Sequence, residues 1–352
     1  MIADYDERRN KISEQIKKLA SQQQGQPYET QELLDEVTGL VEWPVAILCQ
    51  FDHAFLKIPQ EALIAAMIEH QKSFPIKNAD GKLLPYFITI ANLDSKDPQE
   101  VIKGNERVMR ARLADAKFFF DEDAKISLAT QVEKLKTVLF QAKLGSLFDK
   151  TERLQKIVAK LADKSDKKIA ERAAYLSKAD LVSQMVGEFP ELQGIMGCYY
   201  AKNDKEETAV AEAIREHYLP RFATDKLPQS QAGALLAIAD RIDSIVGIFG
   251  INQLPTGDKD PYGLRRAASG ILKIIIEREI PIDSIDLITE AKNNFGDKII
   301  NPNVVSDVHN FILDRLPAYY QEKDIAPDTL NAVLAVQNRK PLDIDLRVRA
   351  VQ

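Results

Sequence analysis

Residues 232–250, AGALLAIADRIDSIVGIFG, decide the fold class. Leu235, Ile238, Ile242, Ile245 and Phe249 recur at steps of three and four, the period of a helix with one face in a core. Asp240 lies roughly opposite that stripe, with Leu236 and Gly247 beside it at helical spacing. The helix is therefore apolar on two sides, and Asp240 projects from the second. A carboxylate in such a place needs a metal, an arginine or lysine, or backbone donors. A structural ion pair is the simplest of these readings.

Similar periodicity extends in both directions. Val210, Ile214 and Tyr218 mark the preceding helix. Asp260-Pro261 starts the following one, which carries Leu264, Ala267, Ala268, Ile271, Ile274 and Ile275. Helical patterns continue near 285–296, 302–320 and 327–338. DPQE at 97–100 is a helix start with Asp97 at the N-cap, Pro98 at the first position and Glu100 at the third. From there on nearly everything reads as helix.

Strand signals are confined to 41–95. WPVAILCQF (43–51) and LLPYFITIAN (83–92) are apolar, β-rich runs. Between them Pro59 opens a helix with Leu63, Ala66, Met67, His70 and Phe74 on one stripe. At the start, Ile12, Ile16 and Leu19 mark an amphipathic helix without a recognisable N-cap, and SQQQGQPYE (21–29) reads as a polar linker. The last residues, DLRVRAVQ, look helical and stop without a cap, so the expectation is a piece of something longer.

The expected fold is α+β, predominantly α-helical. Its parts are a helix and linker (1–30), a small mixed α/β domain (31–125), a helical domain (126–280) and a further helical region (281–352). Fifteen glycines and sixteen prolines in 352 residues fall below the roughly 12% average, which fits long helices and excludes low-complexity disorder. The net charge of −6 gives no global field for nucleic acid. No apolar run approaches the ~20 residues of a membrane span, and the charged opening MIADYDERRNKISEQ lacks a signal-peptide pattern. With only Cys49 and Cys198, the expected location is a reducing cytoplasm.

Catalytic signatures are scarce. There is no glycine-rich phosphate loop, CxxC pair, HExxH or GxSxG. His70 and His217 border apolar faces and read as structural, and Cys198 as a small buried hydrophobe. Local basic stretches are the better candidates. Residues 143–168 hold eight Lys/Arg against four Asp/Glu. Within them Lys150, Arg153, Lys156 and Lys160 are candidate phosphate contacts. Arg107 and Arg110 form a second basic face. Lys259, Arg265 and Arg266 surround a helix start, where free N–H groups favour an anion. The plainer alternative for each is an ordinary solvated or ion-paired face.

Eight segments resemble one family: HQKSFPI (70–76), LLPYFITIAN (83–92), GNERVMRARLADAKFFFDED (104–123), LFQAKLGSLFDKTERLQ (139–155), SKADLVSQMVGEFPELQGIMGCYYA (177–201), EHYLPRFATDKLP (216–228), LAIADRIDSIVGIFGI (236–251) and PTGDKDPYGLRRAASGILKII (255–275). They look like the beta subunit of the bacterial heterotetrameric glycyl-tRNA synthetases. The resemblance covers essentially the whole chain, while the family's subunit is about twice as long. It implies that an N-terminal portion and most of a C-terminal anticodon-binding domain lie outside this sequence.

The resemblance further implies two alpha and two beta subunits. Glycine activation with ATP and Mg²⁺ belongs to alpha, and beta serves as a tRNA-binding and assembly partner. The fragment itself is expected to need no cofactor and to be inactive alone. The helical domain looks like an HD-type domain, whose His…His-Asp…Asp set binds a divalent metal that activates water. Here the motif is degenerate: Lys150 stands at the first histidine, Ala179-Asp180 at His-Asp, and Asp240 at the closing aspartate. No metal site is expected. The rival expectations are an active HD-type phosphohydrolase and a pure scaffold for the alpha subunit.

Overall fold

The computed structural model describes residues 1–336 and 338–352, mostly helical with a small antiparallel sheet near the N-terminus. The chain divides into two compact units. One is Met1–Lys125 with Gln184–Leu192; the other is Ile126–Ser183 with Gln193–Gln352.

The first unit is built on a sheet of β1 (Gln26–Pro27), β2 (Val45–Gln50), β3 (Phe74–Lys77) and β4 (Leu83–Ala91). Its order is β1-β3-β4-β2, and every pairing is antiparallel. Alternation along the strands gives the sheet two apolar faces. Phe74, Ile76 and Ile88 meet α1 (Tyr5–Gln22) and α2 (Gln31–Leu40) through Ile12, Ile16, Ala20, Leu33, Leu34 and Val37. Cys49 and Phe87 belong to the other face and are buried, where α3 (Gln60–Gln71) and α4 (Pro98–Asp123) pack. Gln15 of α1 ties down the edge strand β2: its Oε1 accepts from Ala46 N at 2.6 Å and its Nε2 donates to Pro44 O at 3.2 Å. The segment 184–192 joins this unit because the Asp123 carboxylate accepts from the first backbone N–H groups of α8 (Gln184–Glu188), both at 2.9 Å.

Several expectations change here. Helix α1 has an N-cap, since Asp4 accepts from Glu7 N at 2.8 Å. The stretch 21–29 is not a free linker. Residues 26–27 pair with β3, and Tyr28 N donates to Pro75 O at 2.7 Å. Phe74 does not continue α3, because Lys72 turns left-handed (φ 47°) and the chain enters β3. The Asp97 cap and Pro98 start of α4 are as the sequence reads.

The second unit opens with α5 (Leu128–Lys134) and a hairpin of β5 (Leu139–Gln141) and β6 (Gly145–Ser146) that the helical reading passed over. Then come α6 (Leu147–Leu161), α7 (Lys167–Leu176), a 3-10 turn Ala179–Val182, α9 (Ile195–Asn203), α10 (Thr208–Glu216), α11 (Gln231–Gly250) and α12 (Leu264–Glu277). It closes with α13 (Ser284–Asn293), α14 (Val304–Leu313), α15 (Leu316–Gln321), α16 (Pro327–Leu334) and α17 (Pro341–Val351). Helix α11 is the axis: α6, α7, α10, α12, α13 and α14 all pack on it, and nearly all of its residues are buried. A helix apolar all round is a core helix. Close approach needs glycine, since a Cβ on Gly247 would sit 2.7 Å from the Phe295 ring. Because α13 and α14 rest on α11, residues beyond 280 belong to the same compact unit as the helices before them.

Candidate functional site

Five charged side chains from α6, α11 and the turn after α7 meet inside the second unit. Lys150 Nζ lies 3.0 Å from Asp240 Oδ1 and 3.0 Å from Asp243 Oδ2, and donates to Ser244 Oγ at 2.9 Å. Arg153 grips Asp243 with two donors, Nε to Oδ1 at 2.6 Å and Nη2 to Oδ2 at 3.1 Å. Such bidentate, charge-assisted contacts are the stronger kind. Lys178 Nζ donates to Asp240 Oδ2 at 3.0 Å and lies 2.8 Å from His217 Nε2. Lys150 and Arg153 are only 3% and 4% exposed, and Asp243 is fully buried.

The protonation states follow from these contacts. Burial opposes ionisation of Asp240, but the Lys150 and Lys178 ammoniums outweigh it and hold the carboxyl well below its usual range. Burial, reinforced by Lys178, pushes His217 well below the usual imidazole value, so it is neutral. Its Nδ1 then donates to Ile214 O at 2.6 Å, and Nε2 accepts from the lysine. Burial lowers Lys178, and Asp240 opposes that shift. Arg241 is lowered by burial to about 10 and stays charged at neutral pH. It donates to the carbonyls of His217 and Pro220 at 3.0 Å and Tyr218 at 3.1 Å, which pins the loop after α10.

Asp180 sits beside this network. Its Oδ2 accepts from Gly194 N at 2.6 Å and Gly197 N at 2.9 Å. Burial raises its carboxyl to about 6 against these two donors, and Oδ1 has no partner among the described residues. Gly197 leaves room for it: a Cβ there would stand 3.0 Å from Oδ2.

This donor set does not fit a divalent metal. The Asp240 and Asp243 oxygens face cations, and the one imidazole present already accepts from an ammonium. A metal ion needs those lone pairs free. Among the described residues, no group of three or more His, Cys, Asp and Glu is placed to hold an ion. Of the four positions expected to correspond to an HD motif, Lys150 and Asp240 are in direct contact. Ala179 is a buried apolar side chain, and Asp180 engages backbone instead.

The proposed phosphate contacts separate into different environments. Lys150 and Arg153 are corrected: they are core ion-pair partners, turned inward with Leu154, Ile157 and Val158, and offer nothing to a phosphate. Lys156 and Lys160 lie on the exposed side of α6, with no ion pair among the described residues. Lys259 and Arg266 are exposed and Arg265 is half-buried. The anion expected at that helix start is supplied by the chain, since Asp260 accepts from Leu264 N at 2.8 Å and Arg265 N at 2.9 Å. Arg107 and Arg110 are exposed on α4 in the first unit. Cys49 and Cys198 are buried, which pushes the first thiol up to about 12 and also raises the second.

The sequence reading missed Lys178, Arg241 and Asp243. A signal was present in ADRIDS (239–244), which puts three charges into a helix apolar on both sides. Each must find a buried partner.

Fold and site together define a mostly helical α+β protein whose interior polar cluster is an ion-pair lock rather than a metal centre. The family model described as glycyl-tRNA synthetase beta subunit matches residues 1–335, and the chain belongs to that family. It is 53% identical over its full length to the glycine–tRNA ligase beta subunit of Coxiella burnetii. The corresponding values are 51% for Pseudomonas syringae pv. tomato and 50% for Pseudomonas putida. The alignments cover 51–52% of those proteins, so the chain spans about half the length of the curated relatives it matches.

Two opposite pH effects are expected from the network. The unfolded state binds a proton on His217 near 6.5, where the folded state resists it. Stability is therefore lost as pH falls below about 6.5. Asp180 acts the other way, because the folded state takes up its proton first, near 6. Urea unfolding between pH 7 and 4 should show a shallower acid loss in His217→Gln and a steeper one in Asp180→Asn. Parallel pH profiles for wild type and both variants would contradict these assignments.

Proposed function

We propose that this chain is a non-catalytic, tRNA-binding and assembly part of a glycine–tRNA ligase beta subunit. It supports the ATP-dependent joining of glycine to its tRNA by an alpha subunit, where ATP and Mg²⁺ are used. The assembly has two alpha and two beta subunits and is cytoplasmic. The helical unit is a degenerate HD-type domain in this reading.

The observation that carries the non-catalytic part is Asp240 held between Lys150 and Lys178 at 3.0 Å each. A metal-dependent phosphohydrolase needs the carboxylate and imidazole lone pairs those ammoniums engage. The phosphohydrolase alternative therefore loses its support. For RNA, the supporting feature is the outer side of α6. Lys156 and Lys160 are exposed, one helical turn apart, and Lys164 follows just beyond the helix. Like charges at that spacing repel by a few tenths of a kcal/mol, and phosphate contacts relieve the repulsion.

The test is Lys156→Glu with Lys160→Glu in the complete ligase. Arg153 is left intact because reversing it would break the core. Affinity for glycine tRNA should fall. The log–log salt slope should flatten by roughly 1.4–1.8 for two lost phosphate contacts, with ATP–pyrophosphate exchange on glycine unchanged. Unaltered tRNA affinity in a correctly assembled enzyme would favour the pure scaffold. The 352-residue chain alone should show only background exchange, and robust exchange would overturn the assignment of activation to alpha.

A further inference from the structure

A cavity of about 340 Å³ opens in the second unit between α12, α15 and the loop after α10. Its lining combines two chemistries. Phe222, 57% exposed, and Tyr319 present aromatic rings, while Arg266 and Arg315 present guanidinium groups. Neither guanidinium makes a hydrogen bond or ion pair among the described residues; that of Arg315 lies 5.4 Å from the centre of the Phe311 ring, with its Nε buried and without a hydrogen-bond partner. In the same unit, Arg153 and Arg241 are fully engaged.

The walls are held in place from outside the cavity. Lys273 Nζ donates to Ala223 O at 2.6 Å, and Arg241 donates to Pro220 O at 3.0 Å. The loop carrying Phe222 is thus pinned on both sides. The Tyr319 hydroxyl is occupied by Lys323 at 2.6 Å and Glu277 at 3.4 Å, which fixes the ring. Lys273 and Glu322 also line the cavity, so the lining carries an excess of positive charge.

We infer that this cavity binds one nucleotide unit, a base against the Phe222 and Tyr319 rings with its phosphate on Arg266 and Arg315. Arginine forks match phosphate oxygens, and any base can stack on an aromatic side chain. The volume is at the small end of the roughly 300–1,000 Å³ of ligand pockets, sized for a single nucleotide. The unit comes either as a free mononucleotide or as a nucleotide of an RNA strand. Only the second source rests on the function proposed above.

The probes are 5′-AMP, adenosine, inorganic phosphate and a single-stranded tetra-adenylate RNA, each titrated calorimetrically into the 352-residue chain. AMP should bind, with adenosine and phosphate each weaker by about tenfold or more, since each keeps only half of the contacts. Phe222→Ala and Arg266→Gln change exposed side chains and should leave the fold intact while weakening AMP by about tenfold. Arg315→Gln should do the same. Tetranucleotide binding far tighter than AMP, with the same sensitivity to these variants, assigns the RNA source; equal affinities assign the free mononucleotide. Three results would overturn the inference: no saturable binding of AMP or tetranucleotide at millimolar concentration, binding indifferent to Phe222→Ala and Arg266→Gln, or phosphate binding as tightly as AMP. Lys156→Glu with Lys160→Glu should not change AMP binding. Failure of the pocket and failure of the α6 face are therefore read separately.

Discussion

The second unit depends on two carboxylates of α11. Asp240 and Asp243 stand in the middle of a buried helix, and a bare charge there would cost several kcal/mol. Lys150 and Arg153 reach them from α6, and Lys178 from the turn after α7. The ion pairs therefore fix how these elements dock on α11. Removing one partner would strand another charge in the interior, so each pair ties its element to α11. His217 and Arg241 extend the constraint to the loop after α10.

Much of this was legible in the sequence. The 3.6-residue stripe of 232–250 gave the core helix, and the two β-rich runs gave the paired strands β2 and β4. The need of Asp240 for a cationic partner was also readable, because an ion at that position had to be neutralised. What escaped was the identity of the partners. Lys150 and Arg153 lie in a stretch, 143–168, that holds eight basic residues, and nothing local distinguishes the two that turn inward from Lys156 and Lys160, which turn out. The mean directions of the two pairs differ by only about 70° of helix rotation, and Leu154, Ile157 and Val158 set which side is buried. Long-range pairing across ninety residues of chain leaves no periodic trace. The same limit explains β1: a two-residue strand in a glutamine-rich stretch is visible only once β3 is beside it.

The arrangement also separates two uses of positive charge. Cations inside the second unit are spent on its own carboxylates and carbonyls, so they organise structure. Exposed cations with no ion pair among the described residues lie elsewhere, Lys156 and Lys160 on α6 and Arg266 beside the Phe222 cavity. The helix start at Leu264 shows the difference, since Asp260 already fills the place where an incoming anion was expected.

The Lys150 and Lys178 ammoniums, in place of a metal ion, neutralise the Asp240 carboxylate. The direct measurement is a crystal structure of this chain soaked in excess Mn²⁺, with anomalous data collected at the manganese edge. The Lys150 and Lys178 ammoniums should stand about 3.0 Å from Asp240, with no manganese peak within bonding distance of it. An ordered manganese ion ligated by Asp240, with both lysines displaced, would contradict it.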